Sequence, residues 1–342
     1  MTWSRTNQLI VAAAERLGAR ALALGTRHTD YFVRLVHGSR AVIVSKTRSP
    51  FLTQVAQTLA NNKHLSRELL AGHGLPCVPD LLLDEGDDPR GAAARAMLAA
   101  HGRVVVKPNW GNRGVGITTE VETLERLVRA RARARAIDLD EEVVVEPFVA
   151  GSNLRVAVIG GRFAAACEVQ RPRLVAGRSA AVQIAALNED PRRGSWAAPS
   201  LRPMDRIEPE EELAGHLAVL GLKLGSVVPD GLEIEVTGEE SAVIDRSDEL
   251  HPGWIAVAER ACALLGVDVG GVDLRGPMAA FGRAPGERWR AGEGCLLEVN
   301  VLPGLHLHAL PTEGAARPVF DAFVAYCLQL PGAPPVCATV RV

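Results

Sequence analysis

The sequence predicts an α/β (α+β) protein built from two or three packed lobes. The chain has 342 residues, which is long for one domain but suits several lobes. Segments with the period of a helix alternate along it with short β-rich runs. A glycine-rich loop joins two of these runs, and two later runs end in acidic side chains. We therefore expect mixed helices and sheets, with a polar site where strands end.

The first lobe is predicted to cover residues 1–58. A helix is expected near residues 7–17 and a short strand at 21–25. Two β-rich runs within residues 31–44 flank a His-Gly-Ser turn, and this arrangement indicates a hairpin. This lobe is short.

The second lobe is predicted to cover residues 59–150. It begins with a helix over residues 63–71 and a strand at 78–83. An apolar strand then ends at Lys107, and a later helix spans residues 122–136. The lobe thus mixes helices with strands.

A glycine-rich loop directly follows Lys107. Gly111, Gly114 and Gly116 would let the backbone approach a polyphosphate and point N–H groups at it. The loop is not a Walker loop, because no Gly-Lys-Ser/Thr opens a helix. Since residues 117–119 continue as extended chain, the loop joins two strands and could fold over a nucleotide as a flap. A plain hairpin loop is the alternative.

Residues 141–158 read as a strand, a short connector and a second strand. At such a connector the Glu146 carboxylate could accept the amino group of adenine, while Phe148 adds an apolar wall. The alternative is two neighbouring strands with a solvated glutamate.

The third lobe is predicted to cover residues 151–335 and to carry a metal site. Glu298 and Asn300 lie two apart on the strand 295–300, so both side chains point the same way. Oxygen ligands at this spacing suit Mg²⁺. A second acidic strand end lies within residues 266–273. These strands, the lysine and the glycine loop together indicate an ATP–magnesium site, although an ordinary strand end would explain Glu298 and Asn300 alone.

Two more elements complete this lobe. Residues 276–294 form a polar excursion that carries Gly and Pro, for which we expect a long surface hairpin. A last helix is expected over residues 317–330, with Pro318 in its first turn.

The order of these motifs resembles the ATP-grasp superfamily of carboxylate–amine ligases. The similar branch contains cyanophycin synthetase and the ligase domain of bifunctional glutathione synthetase. The resemblance runs from about residue 40 to 330. It rests on segments 47–53, 60–70, 74–79, 106–116, 145–151, 188–194, 244–252, 298–308 and 311–314. It implies the ATP-grasp fold, in which two α+β lobes hold ATP between them, here after a short N-terminal pre-ATP-grasp lobe.

The resemblance also implies which residues bind ATP. Two lysines would hold the α- and β-phosphates, the glycine loop would cover the β- and γ-phosphates, and the connector would read adenine. Asn153 falls where the family usually has an acidic ribose ligand. The implied set is Lys63, Lys107, Gly111, Asn112, Gly114, Gly116, Glu146, Phe148, Val149 and Asn153.

Metal and catalytic residues follow in the same way. Asp273, Glu298 and Asn300 would hold one or two Mg²⁺ ions, for which Mn²⁺ is a substitute. Arg155 would face the transferring phosphate or the acyl substrate, and Lys107 would share the catalytic work. The implied reaction activates a carboxylate as an acyl phosphate, which an amine converts to an amide with release of ADP and phosphate.

Two segments depart from the family pattern. The Asn-Leu-Ser-Thr-Gly-Gly-like segment of cyanophycin synthetase is missing around residues 236–242, and Gly177-Arg178-Ser179 replaces a Gly-Asp-Gly. Because both concern substrates, the donor acid and the acceptor amine stay open, and repetitive polymerisation is not expected.

Three polar residues near the C terminus are candidates for substrate contact. His306 and His308 would alternate on a strand and shape the substrate pocket; a transition-metal site is the alternative, but it would need a third ligand. Glu313 would contact substrate or form a helical i, i+4 pair with Arg317.

The resemblance leaves three functions open. We favour a ligase joining an amino acid or small carboxylate to an amino acid, peptide or amine, in specialised metabolism. The alternatives are transfer of an amino acid to a carrier protein's thiol and a nucleotide-binding regulatory protein without turnover. A homodimer is common in superfamilies of this kind.

Composition limits the other partners. The net charge is −2, so we expect no general attraction to nucleic acid. The Arg-rich run 129–135 distributes its charge around a helix and reads as solvated. No apolar run reaches the length of a membrane span, and the first residues lack the apolar core of a signal peptide. Six scattered cysteines suit reduced, buried thiols, so we expect a cytoplasmic protein.

Overall fold

The computed structural model describes residues 3–24, 30–111, 114–138, 140–194, 201–208, 211–236 and 240–336. The helices, in chain order, are α1 Arg5–Arg16, α2 Gln54–Asn61, α3 Lys63–Gly72, α4 Ala92–His101, α5 Leu124–Arg135, α6 Ala180–Leu187, α7 Glu211–Val219, α8 Pro252–Leu265, α9 Met278–Phe281, α10 His306–Ala309 and α11 Val319–Leu328. The strands are β1 Arg20–Ala23, β2 Val33–His37, β3 Arg40–Val44, β4 Leu81–Leu83, β5 Val104–Pro108, β6 Thr118–Val121, β7 Val143–Pro147, β8 Ser152–Ile159, β9 Arg162–Gln170, β10 Arg173–Leu174, β11 Arg193–Gly194, β12 Met204–Asp205, β13 Ile234–Glu235, β14 Ala242–Asp245, β15 Val269–Gly276 and β16 Cys295–Asn300.

The N-terminal elements pack on the last helix of the chain. β1, β2 and β3 form an antiparallel sheet, which confirms the predicted hairpin. Ile10, Ala13 and Ala14 lie on one face of α1 because they are spaced three and four apart. They are fully buried in a core shared with Phe320 and Phe323 of α11.

A four-stranded antiparallel sheet has the order β4-β7-β5-β6. Val104 and Val106 of β5 are fully buried on the side covered by α4 and α5. Because side chains alternate along a strand, Lys107 points to the other side. The loop after Lys107 joins β5 to β6, as the sequence predicts.

A five-stranded antiparallel sheet has the order β14-β9-β8-β15-β16. One face packs on α8 through a large apolar cluster that also contains side chains of α2 and α3. The register places Asn153 and Arg155 of β8 opposite Arg275 and Asp273 of β15. The other face of this sheet is therefore polar at this end, whereas Ala157 and Ile159 lie in the apolar core shared with α1 and α11.

The connector between β7 and β8 joins the two large sheets. β7 pairs with β4 and β5, whereas β8 pairs with β9 and β15, so the alternative of two neighbouring strands is wrong. Gly151 ends the connector with φ +120°, and a Cβ there would lie 2.3 Å from the carbonyl oxygen of Gly276. Only glycine fits this passage between the sheets.

The described residues between 171 and 236 form a module that the sequence did not predict. It contains β10–β13, α6 and α7 around its own apolar core, which includes Leu174, Ile184 and Leu217. Its α7 also contacts α5, which covers the four-stranded sheet.

The later elements agree with the predictions except in detail. The excursion between β15 and β16 is a hairpin that contains the short helix α9, with Phe281 buried against Trp254. Pro318 precedes α11 as its N-cap instead of lying in the first turn. The strand predicted at 78–83 is shorter and begins at Leu81. Among the described residues, no helix is long and apolar enough to cross a membrane.

Five described cysteines are buried free thiols: Cys77, Cys167, Cys262, Cys295 and Cys327. Burial raises the pKa of Cys77 to about 12 and keeps its reactive thiolate scarce.

We expect a Cys337→Ser variant, which removes the one cysteine outside the described residues, to show no fast thiol reaction with a disulfide reagent at pH 8. The five thiols should react after unfolding, and fast labelling of Cys77 in the native protein would contradict this burial.

Candidate functional site

Lys63 and the glycine-rich loop are in direct contact. Lys63 is the first residue of α3, where Asn62 caps the helix by accepting from Leu65 N–H. The Lys63 Nζ donates to the carbonyl oxygens of Asn109 at 3.2 Å and Gly111 at 2.9 Å. The lysine thus lies at the start of the loop predicted to cover phosphates.

The loop glycines have the backbone that the prediction requires. Gly111, Gly114 and Gly116 have φ values of +131°, +79° and +77°. A Cβ on Gly116 would lie 2.7 Å from Pro108 Cγ. Asn112, also predicted to bind ATP, lies outside the described residues.

A network of buried charges fixes the second lysine. Lys107 Nζ donates to Glu146 Oε1 at 2.9 Å, and Arg67 Nη2 lies 2.7 Å from Glu146 Oε2. Arg67 also bonds Asp80 at 3.0 Å. Lys107, Glu146 and Arg67 are each less than 5% exposed. Burial alone would raise the pKa of Glu146, but the charges of Arg67 and Lys107 outweigh it and lower this pKa to about 2.

This network gives Glu146 a structural role beside Lys107. Both of its oxygens face the two cations, so its carboxylate positions Lys107. The contact with adenine that the sequence suggested for Glu146 stays a prediction.

The candidate metal ligands converge on the neighbouring strands β15 and β16, with Asp273 inside β15 and not at the predicted strand end. Asp273 is paired with Glu298 in the register, and Gly271 with Asn300. Asn300 Nδ2 lies 2.9 Å from Asp273 Oδ2 and 3.3 Å from Glu298 Oε1. One oxygen of Asp273 and one of Glu298 therefore point at the carboxamide of Asn300. When this amide turns over, its oxygen takes the position of its nitrogen and lies beside the same two carboxylates. This donor set fits Mg²⁺.

Of the metal candidates, Glu298 lies near the two lysines. Burial would raise the pKa of Glu298, but the charges of Lys63, Lys107 and Arg155 lower it. Burial lowers the pKa of Lys63, while Glu298 opposes that effect. Side chains from both large sheets thus meet in one electrostatic cluster. Among the described residues, no group of three His, Cys, Asp or Glu side chains could hold a metal, so the carboxamide of Asn300 is part of the candidate set.

Arg155 is held beside the metal candidates. Its Nε and Nη2 donate to the two oxygens of Asp273 at 2.6 and 2.7 Å. A Cβ on Gly304 would lie 3.6 Å from the remaining Nη1 and 3.3 Å from His306 Cε1. Glycine at this position therefore leaves room beside the third nitrogen of the guanidinium.

The connector residues lie at the other end of the polar face. Val149 O accepts from Arg275 Nε at 2.5 Å, and Asn153 Oδ1 accepts from Arg275 Nη1. The Phe148 ring has the guanidinium carbons of Arg103 and Arg275 at 4.8 and 5.4 Å from its centroid. A cavity of about 460 Å³ opens beside Phe148, a size typical of small-molecule sites.

His306 and His308 lie on the short helix α10, so the strand predicted for these two histidines is wrong. The chain turns at Pro303 and Gly304 and does not resume a strand. His308 is buried, and burial together with Arg155 lowers its pKa to about 3, so the imidazole is neutral. Their contact with substrate stays a prediction.

Glu313 does not form the alternative pair with Arg317. Arg317 lies before α11 begins, and it bonds Asp245 at 2.5 Å and Asp248 at 2.6 Å. Glu313 is exposed, and its carbonyl accepts from Asp245 N–H at 3.0 Å. A role of Glu313 in binding substrate stays a prediction.

Sequence reasoning missed Arg67 and Arg275 as site residues. Signals for both were present in the spacing. Arg67 lies four residues after Lys63 on a predicted helix, so both share one face. Arg275 lies two residues after Asp273 on one strand, so both side chains point to the same side of the sheet.

The two antiparallel α+β units and the lysine-rich site between them define the class of protein: the chain has the ATP-grasp fold. A bifunctional glutathione synthetase from Pasteurella multocida superimposes with a TM-score of 0.60 at 22% identity, over 96% of this chain and 44% of that one. The predicted fold is confirmed.

Curated relatives agree with this class. The chain is 28% identical over 335 residues to the cyanophycin synthetase of Crocosphaera subtropica, covering 92% of this chain and 36% of the relative. It is 27% identical over 314 residues to the glutathione biosynthesis bifunctional protein GshAB of Listeria innocua, covering 88% and 38%. No family model matches the chain. The chain spans little more than a third of these relatives, and its resemblance to ATP-grasp carboxylate–amine ligases is confirmed.

Proposed function

We propose that the chain is an ATP-dependent, ADP-forming carboxylate–amine ligase that makes an amide bond through an acyl phosphate. One observation carries the proposal. Lys63 and Lys107 lie close enough to Glu298 for their charges to lower its pKa, and Asn300 links Glu298 to Asp273. Such a cluster offers fixed cations to the phosphates of ATP and oxygen ligands to its magnesium.

The candidate metal ligands fit this reaction. Asp273, Glu298 and Asn300 would hold one or two Mg²⁺ ions, with Mn²⁺ as a substitute. When bound, magnesium supplies positive charge to the phosphate oxygens and fixes their direction. All other roles below belong to the protein.

In the first step, a carboxylate oxygen attacks the γ-phosphorus of ATP. The new O–P bond forms as the bond to the β-phosphate oxygen breaks, and ADP leaves. Negative charge grows on that oxygen, where Lys63 and Lys107 would stabilise it. Glu146 and Arg67 hold Lys107 in place, so little reorganisation is needed during the transfer.

In the second step, the amine attacks the acyl carbon and forms the C–N bond. The bond from that carbon to the phosphate oxygen breaks, phosphate leaves, and the proton lost by the amine passes to phosphate or water. Arg155, with one nitrogen directed past Gly304, is the candidate to hold the acyl phosphate. The neutral imidazoles of His306 and His308 lie near it.

Water would hydrolyse the acyl phosphate, so the site must close. The loop with Gly111, Gly114 and Gly116 is our candidate cover, because its backbone can approach the phosphates. We propose amino acids, peptides or small amines as substrates, in a cytoplasmic setting that keeps the buried thiols reduced.

The test measures ADP and phosphate release from Mg-ATP across a matrix of amino acids, short peptides and amines, with mass spectrometry of each mixture. We expect ADP only when an acid and an amine are both present, and a product lighter than their sum by one water. A Lys107→Met variant should form neither. AMP in place of ADP, or no nucleotide turnover with any pair, would contradict the proposal. A thioester formed on an added carrier protein would show that the acceptor is the thiol of that protein and not an amine.

A further inference from the structure

Arg275 ties the connector to the second sheet by three contacts. Its Nε donates to Val149 O at 2.5 Å, and its Nη1 donates to Asn153 Oδ1. Its guanidinium carbon lies 5.4 Å from the centroid of the Phe148 ring. One side chain on β15 thus holds both ends of the connector between β7 and β8.

The position of Arg275 in the sheet explains these contacts. It lies opposite Asn153 in the register, on the face that carries Asp273 and Arg155. It also borders the cavity beside Phe148, together with Ala150 and Gly151 of the connector. Arg275 therefore lies on the strand that carries Asp273, at the end where the chain passes between the two sheets.

We propose that Arg275 is a positioning residue for the nucleoside part of the nucleotide, an inference that rests on the proposed function. Because Asn153 Oδ1 accepts a hydrogen bond from Arg275, this oxygen faces Arg275, and the amide nitrogen of Asn153 is the group that faces the ligand. Asn153 then donates a hydrogen bond to the nucleoside, whereas a carboxylate at this position would accept one. The Val149 carbonyl is held at a fixed distance from β15, which fixes the backbone that faces the base.

A rigid fork with two donors is needed for this function. Arginine reaches Val149 O and Asn153 Oδ1 through separate nitrogens, whereas a single ammonium cannot keep both directions. Arg275→Met leaves both acceptors without this donor, and Arg275→Lys restores the charge but only part of the geometry. Nucleotide affinity should therefore follow the order Arg, Lys, Met.

The experiment is isothermal titration of the full chain with Mg-ADP, followed by kinetics with varied ATP. For Arg275→Met we expect about tenfold weaker ADP binding and a matching rise in KM for ATP, with kcat at saturating ATP within about twofold. The matched control is Arg16→Met, because Arg16 pairs with Asp321 on the last helix and does not line the cavity beside Phe148. Its ADP affinity should equal that of the wild type.

A double substitution separates positioning from general destabilisation. If Arg275 acts through Asn153, Arg275→Met should weaken ADP binding less in an Asn153→Ala background than in the wild type. Equal ADP affinity in wild type and Arg275→Met, or a fall in kcat with KM unchanged, would overturn the inference alone. A wild-type protein that binds no Mg-ADP would overturn the proposed function as well.

Discussion

Replacing Asp273 by asparagine is expected to lower kcat/KM for amide formation by about 10²–10³-fold. Asp273 holds Arg155 with both oxygens and points one of them at Asn300. Asparagine keeps the shape but loses the charge, so a candidate metal ligand and the partner of Arg155 disappear together. The measurement is ADP release at several Mg²⁺ concentrations, where the variant should need more metal for its residual activity.

A matched control removes an aspartate charge elsewhere. Asp321 pairs with the exposed Arg16 where α11 meets α1, away from the candidate ligands. Asp321→Asn should keep wild-type activity and Mg²⁺ dependence. Glu298→Gln should lose activity as Asp273→Asn does. An active Asp273→Asn variant with unchanged Mg²⁺ dependence would remove Asp273 from the metal site.

Replacing Glu146 by glutamine is expected to reduce the free energy of unfolding by about 3–5 kcal/mol at pH 7. The change leaves Lys107 and Arg67 buried without the carboxylate that compensates them, since all three side chains are nearly inaccessible. Activity should also fall, because Lys107 loses its fixed position. Urea unfolding at pH 7, monitored by circular dichroism, measures the effect.

The effect of Glu146→Gln should depend on pH with a defined sign. The folded state lowers the pKa of Glu146 to about 2, so its stabilising effect is complete above about pH 4.5 and is lost as pH falls toward 2. The difference in unfolding free energy between wild type and variant should therefore shrink over that interval. A difference that stays constant from pH 7 to 3 would show that folding does not lower the pKa of the Glu146 carboxyl.

An exposed pair in the same sheet provides the comparison. Arg103 and Glu120 lie 3.0 Å apart, and both side chains are more than 40% exposed. Glu120→Gln should change stability by less than about 1 kcal/mol. A loss equal to that of Glu146→Gln would mean that burial does not decide the effect.

Local patterns were sufficient for much of the fold. The strand that ends at Lys107, its glycine loop and the strand 295–300 each carry their signal within a few residues. The common direction of Glu298 and Asn300 follows from strand alternation alone, and Asn300 does contact both Glu298 and Asp273. Which sheet each strand joins is a long-range property, and periodicity does not contain it.

The errors have physical causes. Alternation of His306 and His308 with apolar residues suggested a strand, but the turn at Pro303 and Gly304 starts a helical turn instead. The sequence did not show the buried partners of Glu146, because Arg67 and Lys107 are brought to it only by folding. The module at 171–236 was missed because its strands are only two residues long, too short for a periodic signal.

The central claim is that ATP activates a carboxylate at the cluster of Lys63, Lys107 and Glu298. In the most direct measurement, the protein is given Mg-ATP, a mixture of amines, and amino acids whose carboxylates carry ¹⁸O. The phosphate that is released is then analysed by mass spectrometry. The acyl-phosphate route predicts ADP and phosphate with one ¹⁸O atom, transferred from the acid when the C–O bond breaks. Labelled AMP, or ADP with unlabelled phosphate, would contradict it.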